Sequence, residues 1–182
     1  MSRLISISIL LLVVPVCLPA QEKLQFIGER IDFTINKSTF TINGIYYFLN
    51  NSDKEIRQNI LFPFAKNTDS VAFKRVYNLT YAKHLVFKVL NNAIVFEINV
   101  LPKDSVKVNI AYSQKAAREN IYILKSAQTW GHALKSASYS LTYDPLVQID
   151  SLALKPDSLV DNIYYWSKLD FYPDKDFKVW IK

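Results

Sequence analysis

The feature that most constrains this chain is a two-residue alternation of apolar and polar side chains, which continues through segment after segment. Ile31, Phe33 and Ile35 are separated by polar residues, and the next such series begins at Phe40. Successive side chains of a β-strand point to opposite faces, so this period is typical of strands with one buried face. No long segment carries apolar residues at helical spacing. The sequence therefore predicts an all-β fold with little helix.

The alternating segments recur about every ten residues, which is the rhythm of a sandwich or barrel. We predict an antiparallel β-sandwich of roughly ten strands. The alternating segments span 31–35, 40–49, 56–63, 71–77, 84–89, 93–100, 105–112, 120–124, 138–143, 147–154, 162–166 and 177–181. Residues 113–118 interrupt the rhythm, and we interpret them as the polar tip of a hairpin that joins the segments on either side.

The first twenty residues have the order of a cleavable export signal. Arg3 precedes an apolar stretch over 4–16, and Ala20 is a small residue at the expected cleavage point. The stretch is shorter than the roughly twenty residues that a membrane span needs, so we expect no stable membrane insertion after cleavage. Cys17 offers the alternative of a lipoprotein, but Val16 stands where a small residue is usual. The sequence favours a secreted or periplasmic protein cleaved after Ala20.

Cleavage at that point removes the chain's single Cys and single Met. An exported protein without disulfides depends on its hydrophobic core, and about 160 residues are enough to build one. We predict one β-sandwich domain over 21–182, with a possible C-terminal elaboration after 144, where the alternation becomes less regular.

The charge pattern argues against nucleic acid as a partner. The formal net charge is +6, but its lysines and arginines are spread along the chain, and the densest groups, at 74–75 and 115–118, are small. Nucleic-acid-binding proteins concentrate these residues on one stripe or patch. The basicity is typical of a solvated surface, with weak attraction to an anionic cell surface as the alternative.

Most catalytic patterns are absent from the sequence. Three glycines cannot form a phosphate-binding loop or a dinucleotide fingerprint, and two distant histidines with no remaining cysteine do not form a usual zinc site. His132 beside Ser136 or Ser138 is a possible general base, although packing of its loop on Trp130 is the favoured interpretation. We predict no catalytic residue, no metal ligand and no cofactor.

Carboxylates leave two further alternatives open. A glycosidase needs two carboxyl groups at a defined separation, and the sequence does not reveal separations. The carboxylates in or near predicted strands are Glu97, Glu119, Asp144 and Asp150. Asp170, Asp174 and Asp176 have a spacing that suggests calcium, but they lack the glycine of an EF-hand loop.

Aromatic residues supply the candidate binding sites. Exposed Trp and Tyr side chains provide platforms for sugars or proteins. Tyr164, Tyr165 and Trp166 are adjacent in one predicted strand, so at least one of them must face outward. Together with Trp130 they are the candidate binding residues. Tyr46 and Phe48 are predicted to lie in the core.

Two blocks of the sequence resemble a known kind of domain. The first runs over 44–54 and on to Ile60-Leu61-Phe62-Pro63-Phe64; the second comprises Tyr122-Ile123-Leu124, 130–134 and Ala137-Ser138-Tyr139. They resemble secreted bacterial β-sandwich domains of unknown function, loosely like the vault/inter-alpha-trypsin type domain. The resemblance implies an exported sandwich, no enzyme activity carried by particular residues, and contacts at the cell envelope.

The leading hypothesis is a secreted, non-enzymatic interaction or structural module of the bacterial cell envelope, with an envelope protein or a glycan as its partner. Export, the strand pattern and the missing catalytic patterns favour it. The alternative is a carbohydrate-binding module or glycan hydrolase, which the aromatic clusters and the carboxylates favour.

Overall fold

The structure is a computed structural model that describes residues 24–66 and 70–182, and nearly all of its regular structure is β-strand. The predicted export signal and Cys17 lie outside the described residues. The strands are β1 (Gln25–Ile35), β2 (Thr39–Leu49), β3 (Ile56–Pro63), β4 (Val71–Asn78), β5 (Lys83–His84), β6 (Phe87–Val89), β7 (Ala93–Val100), β8 (Ser105–Lys115), β9 (Glu119–Tyr122), β10 (Leu134–Tyr143), β11 (Ile149–Leu152), β12 (Ser158–Val160), β13 (Ile163–Phe171) and β14 (Phe177–Ile181). A short 3-10 helix spans Lys125–Trp130. The predicted all-β class with little helix is confirmed, and no helix in the described ranges is long and apolar enough to cross a bilayer.

The number of strands differs from the prediction of roughly ten, because the described residues contain fourteen. The extra strands are short. The segment predicted at 84–89 divides into β5 and β6, which belong to different sheets, and β12 was not predicted. Strands of two or three residues are too short to show an alternation.

The strands form one large sheet and two small ones. The large sheet has the order β12-β13-β10-β1-β2-β8-β4-β5, and the small sheets have the orders β11-β14-β9 and β3-β7-β6. The prediction of an antiparallel arrangement is wrong at one pairing, since β1 and β10 run parallel from Gly28 and Ser136 to Ile35 and Tyr143. β10 is far from β1 along the chain, and a long connection of that kind permits parallel pairing.

The hairpin predicted around 113–118 is also wrong. β8 belongs to the large sheet, whereas β9 pairs with β14 in a small sheet. The buried side chain of Asn120 accepts a hydrogen bond from the backbone N–H of Ala117 and donates one to its carbonyl, at 3.0 and 2.6 Å. This loop therefore carries the chain from one sheet to another.

One core cluster is shared by all three sheets. At its centre Phe33 of β1 stacks on Phe40 of β2 and on Phe177 of β14, with ring centroids 5.6 and 4.1 Å away. Tyr46 of β2 similarly contacts Phe62 of β3 at 5.3 Å. Burial of each such ring contributes about 2–3 kcal/mol. Each small sheet is thus held against the inner face of the large sheet, and Tyr46 of β2 contacts both, through Phe62 of β3 and Tyr122 of β9.

Candidate functional site

A cleft of about 930 Å³ opens over the inner face of the large sheet. One wall is the whole of β3, and the opposite wall is formed by Tyr122 at the end of β9 and by the short helix over Lys125–Trp130. β3 and β9 are edge strands of their respective small sheets. The floor is made by side chains of the large sheet, among them Phe26, Glu29 and Phe48.

A bulge in β1 turns a carboxylate toward this cleft. The register between β1 and β2 shifts between Phe26 and Gly28, so that Phe26 lies opposite Phe48 and Glu29 lies opposite Tyr46. Both Phe26 and Glu29 then face the interior, and Glu29 is only 4% exposed. A bulge is a usual way to redirect a side chain in a sheet.

Tyrosine hydroxyls are the hydrogen-bond partners of Glu29. Tyr139 donates to Oε1 at 2.6 Å, and Tyr122 donates to Oε2 at a longer 3.4 Å. The hydroxyl of Tyr46 lies 3.0 Å from that of Tyr122. Because Tyr122 uses its proton toward Glu29, Tyr46 donates to Tyr122. Among the described residues no lysine or arginine forms an ion pair with Glu29.

This environment changes the acid strength of every group in the cluster. Burial raises the pKa of Glu29 to about 7, and the hydrogen bonds from Tyr139 and Tyr122 oppose that rise. Burial also raises the pKa values of Tyr46, Tyr122 and Tyr139, which remain protonated donors. Near neutral pH Glu29 therefore exists in both forms, and its carboxyl group can exchange a proton or hold a cation.

Gly44 determines where the Tyr46 ring lies. A Cβ atom added at Gly44 would come within 2.6 Å of the ring carbon that carries the Tyr46 hydroxyl. Only glycine leaves room for the ring to lie back along its own strand. The resulting position brings the Tyr46 hydroxyl to Tyr122 and thus to the Glu29 cluster.

Three aromatic rings stand together in the lining of the cleft. Phe26 and Phe48 have centroids 5.4 Å apart, and Trp130 lies 5.8 and 5.6 Å from them. Trp130 is half-buried and was predicted as a binding residue. The structure places it in the cleft, whereas the other three predicted residues lie elsewhere.

His132 also lines the cleft. Its Nδ1 is 3.0 Å from the carbonyl oxygen of Ala133, so this nitrogen carries the proton and donates. The other ring nitrogen is Nε2. This atom is buried and has no hydrogen-bond partner within the described chain.

The three adjacent aromatics of β13 are divided between core and surface. Trp166 is 2% exposed, contacts Phe177 at 5.1 Å and donates from its indole N–H to the carbonyl of Leu154 at 3.2 Å. Trp166 occupies the inward phase of the strand, so it is not the one of the three that faces outward, and its role as a binding residue stays a prediction. Tyr164 is half-buried and stacks on Tyr143, and Tyr165 is 39% exposed.

Tyr165 lines a second, shallower groove of about 530 Å³ on the other side of the large sheet. The groove is rich in hydroxyl groups, which come from Ser138, Ser140, Thr142, Ser158, Tyr165 and Ser167. Asp32 accepts a hydrogen bond from Ser140 at 2.7 Å and lies 3.8 Å from Arg30. The Lys168 ammonium, and then the backbone N–H of Ser167, lower the pKa of Asp157 at its rim.

Two of the carboxylates named from the sequence form ion pairs with lysines. Glu119 pairs with Lys178 at 3.0 Å, and Asp150 lies 3.7 Å from Lys182. Across 24–66 and 70–182, no three His, Cys, Asp or Glu side chains are grouped so that they could hold a metal ion. Glu29 was missed, although a signal existed: it is in phase with Ile31, Phe33 and Ile35 and therefore had to face inward.

Comparison with known proteins identifies the fold only. No protein-family model matches the sequence, and no curated protein matches it. A candidate nutrient-binding protein from Legionella pneumophila aligns with a TM-score of 0.67 at 15% identity, over 89% of this chain and 68% of that chain. The M1 zinc metallopeptidase of Deinococcus radiodurans aligns with a TM-score of 0.53 at 7% identity, over 88% of this chain and 43% of that one.

Native yeast LTA4 hydrolase aligns with a TM-score of 0.50 at 9% identity, over 87% of this chain and 28% of that one. This chain therefore spans less than half the length of the two enzymes. At such identities the likeness shows the fold alone. None of these three proteins bears on the resemblance to the vault/inter-alpha-trypsin type domain, which stays a prediction.

Proposed function

We propose that this protein is a non-enzymatic binding module of the bacterial cell envelope, and that it binds its ligand in the cleft between β3 and β9. The observation that carries the proposal is the buried carboxyl group of Glu29 at the floor of a large aromatic cleft. Small-molecule sites are typically concave, mostly apolar and equipped with a few placed polar groups.

The polar groups of the cleft are arranged for recognition. Glu29 is held by Tyr139 and Tyr122, and Gly44 secures the position of Tyr46. Rigid side chains of this kind bind with little loss of conformational entropy. The likeness to a candidate nutrient-binding protein is in keeping with a ligand site.

We also infer the setting of this module. The shared core supports two layers of a single sandwich domain over 21–182, in which the large sheet is one layer and the small sheets are the other. The export signal predicted at 1–20 supports a periplasmic or secreted location. Fractionation of cells that produce the full chain tests it, since retention of the uncleaved chain in the cytoplasm would contradict export.

The binding proposal is tested by obstructing the cleft. Thr129 is exposed and lines the cleft, so Thr129→Trp places a bulky ring at its mouth. Thr34→Trp is the matched control, because Thr34 is exposed on the outward phase of β1. A panel of amino acids, dipeptides, amines and oligosaccharides is screened against each protein by ligand-observed NMR.

We expect at least one class of compound to bind the wild type and Thr34→Trp, to lose binding to Thr129→Trp, and to be recovered chemically unchanged. Equal binding to both variants would overturn the cleft as the site. Failure of every compound to bind the wild type, or conversion of a bound compound, would overturn the proposed function.

A second candidate function rests on the outer groove. Its hydroxyl groups and the exposed ring of Tyr165 favour a carbohydrate, which stacks on aromatic rings and bonds to hydroxyl groups. Tyr165→Ala is compared with Tyr172→Ala, a control at another exposed tyrosine. Loss of retention on a glycan array in the first variant alone supports this function, whereas equal retention removes its basis.

A further inference from the structure

We propose that the ligand of the cleft is an organic cation, in which an ammonium group attached to an apolar body binds beside Glu29. This inference rests on the proposed function, because it names the chemical class that the same cleft selects. It depends on the charges, the free acceptors and the rings of the cleft.

The balance of charge in the lining of the cleft favours a cation. The charged side chains that line the cleft are Glu29 and Arg57, and His132 is the remaining ionisable base. Arg57 is directed to solvent, since its side chain is 68% exposed and its Nε lies 3.3 Å from a Glu55 carboxylate oxygen. Of the described residues in the lining, Glu29 is thus the one with a buried carboxyl group, and its ionised form favours a positive ligand over a negative one.

The cleft also has more buried hydrogen-bond acceptors than donors to satisfy them. An ionised carboxylate has about four acceptor positions, and Tyr139 and Tyr122 occupy two of those of Glu29, the second through a long contact of 3.4 Å. Nε2 of His132 is buried and has no hydrogen-bond partner in the described residues, and in the tautomer that carries its proton on Nδ1 this nitrogen is a further acceptor. Buried acceptors without donors are costly, and an ammonium group brings donors and no acceptor.

The aromatic lining of the cleft suits both the cationic group and the apolar body of such a ligand. Phe26, Phe48 and Trp130 form a group of rings at the cleft, and Tyr46 contacts Phe26 at 6.1 Å. The negative faces of aromatic rings attract cations, most strongly where water is excluded. The same rings bury the apolar part of the ligand.

Binding of an ammonium ion is expected to shift Glu29 toward its ionised form. The groups that face it are Tyr46 from β2, Tyr122 from β9 and Tyr139 from β10, all of which are neutral donors. An ammonium ion beside the carboxyl group favours its ionised form, so the pKa of Glu29 falls. When Glu29 is protonated before binding, its proton passes to solvent and the ligand keeps its own charge.

The test uses three probes that share one body: 2-phenylethylamine, 2-phenylethanol and 3-phenylpropanoate. We expect titration calorimetry to show that the amine binds about tenfold more tightly than the alcohol, and the carboxylate more weakly than either. Glu29→Gln is expected to lower the affinity for the amine about tenfold and to leave the affinity for the alcohol unchanged. Glu97→Gln, at an exposed position of β7 that lines neither the cleft nor the outer groove, is the control and leaves both affinities unchanged.

A second measurement remains valid if Glu29→Gln fails to fold. In the wild type, carbon NMR of the Glu29 side chain is expected to show a lower pKa with the amine than with the alcohol. The inference is overturned if the alcohol or the carboxylate binds as tightly as the amine, or if the amine leaves the pKa of Glu29 unchanged. These failures are distinct from failure of the proposed function, which the Thr129→Trp screen decides separately.

Discussion

The two sides of β1 hold carboxylates in opposite surroundings. Glu29 faces the cleft, is 4% exposed and has tyrosine hydroxyls as its hydrogen-bond partners. Asp32, three residues later, has a side chain that is 43% exposed, accepts a hydrogen bond from Ser140 and lies beside Arg30. The face of the strand, more than the residue type, thus determines the burial and the hydrogen-bond partners of a carboxylate.

The same contrast separates the cleft from the outer groove. The cleft joins buried aromatic rings to one carboxyl group that has no cationic partner within 24–66 and 70–182. The groove instead gathers hydroxyl groups around an ion pair that water reaches. An unpaired buried carboxylate reduces stability, and such groups cluster at functional sites. We therefore place the principal site inside the molecule.

The largest difference in stability is expected between variants of the inward-facing Trp166 and of its outward-facing neighbour Tyr165. Trp166→Ala removes a fully buried ring and leaves the carbonyl of Leu154 without its donor, so it is expected to lower the free energy of unfolding by about 3–5 kcal/mol. Tyr165→Ala is expected to lower it by about 1 kcal/mol or less. Urea denaturation of both variants measures the difference, and equal losses would contradict the assignment of faces.

The second effect is a pH dependence of stability that depends on Glu29. Its folded-state pKa of about 7 lies above the ordinary 4.5, so the folded protein keeps a proton that the unfolded chain releases. The contribution of Glu29 to the free energy of unfolding is fully present below its ordinary pKa and is lost as the pH rises through about 7. The total loss is about 3 kcal/mol.

The side chain of Glu29→Gln cannot titrate. Between about pH 4 and pH 8 the wild type is therefore expected to lose about 3 kcal/mol of free energy of unfolding relative to Glu29→Gln. Denaturation at several pH values measures it, with Asp32→Asn as the comparison. A difference that is independent of pH would mean that water solvates the Glu29 carboxyl group.

A smaller effect is expected at Gly44. Gly44→Ala forces the Tyr46 ring away from its place along β2 and weakens its bond to Tyr122, at a cost of about 1–3 kcal/mol. Thr34→Ala on the exposed phase of β1 is the control, with a change of about 0.5 kcal/mol or less. Thermal melts compare the two, and an unaltered stability of Gly44→Ala would show that the ring is free to move.

The strands were predictable wherever the alternation was long. β2 was predicted at 40–49 and observed over Thr39–Leu49, because every second side chain enters the core and leaves an unbroken pattern. The division of the predicted segment 84–89 into β5 and β6 was beyond prediction, as was the whole of β12, since strands of two or three residues carry no period. The parallel pairing of β1 with β10 depends on tertiary packing and leaves no local trace in the sequence.

The candidate site was harder to predict than the fold. Trp130 was identified from its residue type, but the cleft is formed where two edge strands face the large sheet, and the alternation does not specify which sheets meet. Glu29 was detectable from its phase with Ile31. The bulge before it, which also keeps Phe26 inward, is a change of register that sequence periodicity cannot locate.

The account depends most directly on the ionisation of Glu29 in the ligand-free protein. Selective carbon labelling of glutamate, with the Glu29 signal assigned through Glu29→Gln, allows its side chain to be titrated by NMR. The account predicts a pKa of about 7. A value near the ordinary 4.5 would show a well-solvated or cation-paired carboxylate and would contradict the cleft described above.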